Sequence, residues 1–86
     1  MDSKLFLDLC KEKIADYYLN EIKEKDIYVV WHCKTLQNSK ALLSTSVPDG
    51  RYFECTYNGD KKELYLDAYK KEQNICYKNI GKVIDK

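Results

Sequence analysis

RYFECTYNGDKKELYLDAYK, residues 51–70, reads as two strands joined by a turn. Arg51–Tyr57 alternates between apolar and polar positions, as a half-buried strand does, and Glu63–Lys70 alternates in return. Asn58-Gly59 between them is a strong short hairpin signal, because both residues tolerate the positive φ of a tight turn. A two-residue Asn-Gly loop would set Glu54 opposite Glu63 and Cys55 opposite Lys62, both poor cross-strand matches. A four-residue loop over Asn58–Lys61 pairs Cys55 with Leu64 and Phe53 with Leu66, and sets Glu54 against Tyr65 and Thr56 against Glu63. The cross-strand pairs favour the longer loop.

Working toward the N-terminus, Val47-Pro48-Asp49-Gly50 is a turn in which Pro fixes one φ and Gly accepts a positive one. Before it, Ile27–Lys34 and Lys40–Ser46 are rich in β-branched and aromatic residues and flank the short polar loop Thr35–Ser39. Alternation then divides the sheet into two faces. One face holds Ile27, Val29, Trp31, Cys33, Ala41, Leu43, Phe53, Cys55, Leu64, Leu66 and Ala68. The other carries Tyr28, Val30, His32, Leu42, Ser44, Tyr52, Glu54, Thr56, Tyr65, Asp67 and Tyr69.

The apolar face needs a cover, and residues 3–24 supply one. Phe6, Leu7, Cys10, Ile14, Tyr17, Tyr18 and Ile22 recur at three- and four-residue steps and form one helical stripe, which Asp2 or Ser3 can cap. Leu5, Leu9 and Leu19 fall off that stripe. At the other end, Gln73–Lys78 reads as a short fifth strand and residues 79–86 as a tail. The expected architecture is a two-layer α+β fold in a single domain over residues 1–86: an N-terminal amphipathic helix packed on one face of an antiparallel sheet of four to five strands.

Composition excludes several functions. With 86 residues, 44% of them hydrophobic, and a net charge of +1, the chain suits one small folded domain. No stretch approaches the ~20 apolar residues of a membrane span. Asp2, Lys4 and Asp8 interrupt the N-terminal apolar residues, against a secretory signal. A cytoplasmic protein without membrane attachment is therefore expected. Fifteen Lys and Arg nearly cancel fourteen Asp and Glu, so neither the basic stripe of a phosphate-binding surface nor the acidity of a DNA mimic is present.

The chemistry-bearing residues argue against catalysis. Cys10, Cys33, Cys55 and Cys76 are spread evenly along the chain, whereas structural zinc draws its ligands in close pairs. They read as free thiols filling small buried holes. His32 and Cys33 are neighbours on a strand, so they point to opposite faces and cannot form a dyad. Glu54 and Asp67 share a face, but a chain this short has little material for the sugar cleft of a carboxylate-pair hydrolase. Gly50, Gly59 and Gly81 are isolated and build no phosphate loop. No enzyme activity, metal or cofactor is expected.

The tyrosines carry the functional signal. Tyrosine offers a large rigid contact area at low entropic cost and is enriched at interfaces, and this chain has eight. The candidate partner-binding residues are Tyr28, His32, Tyr52, Glu54, Tyr65, Asp67 and Tyr69. A second copy of the chain is another occupant for that face. Aromatic sheet faces also stack nucleobases, but Glu54 and Asp67 would repel a phosphate backbone and RRM signatures are missing, so nucleic acid is less favoured.

The blocks VWHCKTLQN (30–38), KALLST (40–45), PDGRY (48–52), TYNGDK (56–61) and YLD (65–67) occur in an order that resembles an uncharacterised family of small proteins encoded by phages and prophages of Gram-positive bacteria. The resemblance covers most of residues 27–71, and that family often has another aromatic where His32 stands. It implies no activity, cofactor or catalytic residue. It implies a context: a small phage accessory protein that binds and occludes a bacterial host or defence protein, in the manner of an anti-CRISPR inhibitor. The alternative is a nucleic-acid binder or a sponge for a signalling nucleotide.

Overall fold

The computed structural model describes residues 1–81. Helix α1 spans Ser3–Tyr17, and a single 3₁₀ turn at Glu24–Asp26 leads into four strands. These are β1 (Ile27–Thr35), β2 (Asn38–Thr45), β3 (Arg51–Asn58) and β4 (Glu63–Lys70). They pair in sequence order as an antiparallel meander. The fold is the expected helix-on-sheet α+β arrangement.

Helix α1 starts where Asp2 caps it, its side chain accepting the Leu5 N–H at 2.8 Å. Phe6, Cys10 and Ile14 follow at four-residue spacing and are fully buried against Ala41, Leu43, Phe53 and Cys55 of the sheet. Burying a side chain such as Ile14, Leu43 or Phe53 contributes about 1.5–3 kcal/mol each, so this small cluster carries most of the fold.

The helix ends at Tyr17, seven residues before the expected end at residue 24. Leu19 and Asn20 both adopt positive φ, 56° and 60°. The Asn20 N–H donates to the Ala15 carbonyl at 2.8 Å and the Leu19 N–H to that of Asp16 at 2.9 Å. This is a Schellman stop, with Leu19 in the position that Gly usually fills. Tyr18 then turns toward the β2–β3 loop, where its hydroxyl donates to Asp49 Oδ2 at 2.6 Å. Asp49 also accepts from the Arg51 guanidinium at 3.0 Å and from the Arg51 N–H at 3.1 Å. In that loop Gly50 has the expected positive φ, 70°. Ile22 still packs on the core, from outside the helix.

Three further expectations are corrected. In β1, Val29 pairs with Leu43 and Trp31 with Leu42, so a bulge at Val30 shifts the alternation. His32, paired with buried Ala41, therefore lies under the helix, its ring 6.0 Å from Phe6, while Trp31 and Cys33 move to the other face. The β3–β4 loop has four residues, but it is Gly59–Lys62, one position later than the Asn58–Lys61 reading. Asn58 Oδ1 accepts the N–H groups of Asp60 and Lys61, and Asn38 Oδ1 accepts that of Gly59, so side-chain bonds hold the later turn. The pairs become Cys55–Leu66, Phe53–Ala68, Glu54–Asp67 and Thr56–Tyr65. Residues 73–78 form no strand. Of the tail over 79–86, residues 82–86 lie outside the described residues.

The helix covers β1, β2 and β3. Three strand spacings of about 4.8 Å separate the outer strands by about 14 Å, wider than one helix can shield. Hence Ala68 is exposed and Leu64 and Leu66 are only half-buried, although the alternation reading puts all three beneath the helix.

Candidate interaction face

No described element covers the sheet face opposite α1. Three rows of cross-strand neighbours cross it. Tyr28, Ser44, Tyr52 and Tyr69 form the first, and Trp31, Leu42, Glu54 and Asp67 the second. Cys33, Lys40, Thr56 and Tyr65 form the third. Tyr28, Tyr65 and Tyr69 are 51–53% exposed and Trp31 is 42% exposed, so four large aromatic rings stand in solvent on one side of the molecule. Tyr28 and Trp31 stand on β1 and Tyr65 and Tyr69 on β4, at the two margins of the face, with half-buried Leu42 and Tyr52 between them.

The polar groups among these rings are unevenly paired. Glu54 and Asp67 are direct cross-strand neighbours, a like-charge pair that opposes the sheet. Lys40 Nζ lies 3.4 Å from Glu54 and offsets one charge. Asp67 has no ion-pair partner among the described residues. At one end of the face Lys71 Nζ sits over the Tyr52 ring, 5.5 Å from its centroid, and keeps that tyrosine half-buried. At the other end the Tyr65 hydroxyl donates to Glu63 at 3.1 Å, and this bond pushes the Tyr65 phenol above its ordinary range. An open groove of about 230 Å³ runs beside Cys33, Lys40 and Thr56.

Six of the seven expected partner-binding residues are together here: Tyr28, Tyr52, Glu54, Tyr65, Asp67 and Tyr69. His32 is not. It is on the helix side, where its Nε2 is buried without a hydrogen-bond partner among the described residues. In its place the face gains Trp31, which the sequence reading assigned to the core. Nothing in Val29-Val30-Trp31 marks which of the three residues is the extra one, since all are apolar and favour strands.

The cysteines separate into two pairs. Cys10 and Cys55 are buried where α1 meets β3, and a hydrogen-bonding contact with Cys55, together with burial, pushes the Cys10 thiol well above its ordinary range. Such a thiol is a core group and not a nucleophile. Cys33 and Cys76 are exposed, which corrects the expectation that every cysteine fills a buried hole. Among the described residues no cluster of His, Cys, Asp and Glu could hold a metal ion, and no helix is long and apolar enough to cross a membrane.

A family model described as a family of unknown function, DUF6275, matches residues 7–79. No curated protein and no solved structure matches the chain.

Proposed function

Because the chain belongs to the DUF6275 family, which has no assigned activity, its surface has to carry the functional reading, and we propose that it is a binding protein that occludes a bacterial partner through the uncovered sheet face. The observation that carries this reading is the group of Tyr28, Trp31, Tyr65 and Tyr69, exposed together on one side of the sheet. Tyr and Trp dominate the energetics of protein interfaces, and rings held on paired strands are already ordered before contact. The resemblance of residues 27–71 to small phage and prophage proteins supplies the setting: an accessory protein made in the bacterial cytoplasm, whose target is a host or defence protein, as for an anti-CRISPR inhibitor. The chemistry of the face favours binding over catalysis, because His32 and Cys33 project to opposite sides of β1. Glu54 and Asp67 at its centre favour a protein partner over a nucleic-acid backbone.

The test is affinity capture from host lysate with and without nuclease, read by mass spectrometry, using the wild-type chain and Trp31→Ala/Tyr65→Ala. One stoichiometric protein that survives nuclease and is lost with the double variant supports the reading. Each ring removed should weaken binding by about 2 kcal/mol, roughly thirtyfold in Kd. Retention that disappears with nuclease, or that ignores the double variant, overturns it.

A further inference from the structure

Beyond Lys70 the chain does something unusual for so small a protein. Residues 71–80 are all exposed, and they include Ile75, Tyr77 and Ile80 at 54%, 73% and 53%. The radius of gyration is 15.8 Å, where a compact chain of this length would have about 12 Å. The longest dimension is 45 Å, while an eight-residue strand spans about 27 Å. The family match runs to residue 79, so this projecting segment belongs to the unit that the family model describes.

The segment does not turn back on its own strand. The Lys71 N–H donates to the Gly50 carbonyl at 2.6 Å, which extends the β3–β4 ladder by one residue and keeps the chain running in the direction of β4. Return to the outer edge of β4 would need a tight reversal within Glu72-Gln73-Asn74, which has no Gly. Meanwhile that edge is incomplete in two ways. Among the described residues no strand neighbours its outer backbone groups, since β4 ends the sheet. Of its helix-side residues, Leu64 and Leu66 pack against the core but stay half-exposed, and Ala68 is exposed. Most natural edges are protected by bulges or covering segments, and β1 has the bulge while β4, among the described residues, has neither.

We infer that residues 73–80 of one copy add as a fifth strand to the β4 edge of a second copy, in a reciprocal exchange that closes a dimer. Residues 73–78 of the segment, before the turn that Asn79 makes at φ 60°, can run along six of the eight residues of β4. Ile75 and Tyr77 are two positions apart, on one side of an extended segment, and fit the half-buried Leu64 and Leu66 and the exposed Ala68. Lys78, on the other side of the extended segment, complements Asp67 of the receiving strand. Exchange of an identical element between copies needs no second surface to evolve and closes on itself by two-fold symmetry. The Tyr28 and Trp31 side of the aromatic face remains free, because the segment adds at the β4 edge and β1 is the opposite edge of the sheet.

The test combines sedimentation with amide hydrogen exchange on the full chain from low micromolar to several hundred micromolar. Two chains per particle at high concentration are expected, with exchange of the amides in 73–80 slowed at least about tenfold there and restored on dilution. Tyr77→Asp and, on the receiving strand, Ala68→Arg should each return the chain to a monomer while the amides of β2 and β3 stay protected. A single chain at every concentration overturns the inference. So does protection of 73–80 that persists on dilution, which would place the segment on its own sheet, and so does a dimer that survives Tyr77→Asp.

Discussion

His32 shows how one residue changes meaning with its register. Read on a regular strand it belongs with the tyrosines; after the bulge at Val30 it lies under α1 beside Phe6, with Nε2 buried and unpaired among the described residues. An unsatisfied buried polar atom costs about 1–3 kcal/mol, and an apolar ring of similar shape removes that cost. His32→Phe should therefore raise stability by about 1 kcal/mol, seen as a higher urea midpoint at unchanged slope. A lower midpoint would mean that the imidazole is structurally required. Gly59 is a second position where one atom matters, because a Cβ there would run into the Gln37 carbonyl of the neighbouring hairpin loop. Gly59→Ala should cost about 1–3 kcal/mol by forcing the two loops apart, measurable in the same unfolding experiment.

At the scale of elements, the end of α1 is held by two devices of different kind. The first is the Schellman stop, in which Leu19 is 81% exposed at φ 56°. A non-glycine residue in that conformation costs about 1 kcal/mol, and so little of Leu19 is buried that little packing would be lost. Leu19→Gly should raise the thermal midpoint, corresponding to a gain of up to about 1 kcal/mol. The second is the Tyr18–Asp49–Arg51 contact that ties the helix end to the β2–β3 turn. Burial pushes the Asp49 carboxyl up, but bonds from the Tyr18 hydroxyl and from the Arg51 N–H and guanidinium outweigh it and hold Asp49 below its ordinary range. A carboxylate depressed in the folded state contributes stability that is complete above the unfolded value of about 3.9 and is lost as pH falls through the folded value. Asp49→Asn should cost about 1 kcal/mol at neutral pH, and the difference from wild type should shrink as pH drops below about 3.9. A difference that is constant with pH would show that charge plays no part. These ends also show what sequence could tell. The period of Phe6, Cys10 and Ile14 and the alternation of β2, β3 and β4 give the elements, the sheet faces and the placement of six of the seven candidate residues on the open face. The helix stop was hidden because Leu19 replaces the Gly that signals it, and the bulge because any of Val29, Val30 and Trp31 could be the extra residue. The hairpin turn moved one position because Asn38, from another loop, bonds to Gly59.

At the scale of the molecule, two surfaces lie on different sides of one thin sheet, and they can be told apart. The molecule is only 18 Å across its shortest dimension, so the aromatic face and the helix side of β4 are separated by little more than the sheet and its side chains. Contact at one could therefore be mistaken for contact at the other in any assay of bulk association. Trp31 is the sole tryptophan of the chain and stands on the aromatic face, on the strand farthest from β4. Its fluorescence reports that face alone. In the free chain its 42% exposure should give red-shifted emission that acrylamide quenches readily. Raising the concentration into the range where residues 73–80 pair with a second copy should leave both properties unchanged. Adding a captured bacterial partner should shift the emission to the blue and reduce quenching, because a tryptophan at the centre of an interface is shielded from water. If self-association alone shifts Trp31, a second copy covers the aromatic face itself and the edge exchange is the wrong geometry. A bound partner that leaves Trp31 untouched would place the functional contact elsewhere, however well the edge exchange holds.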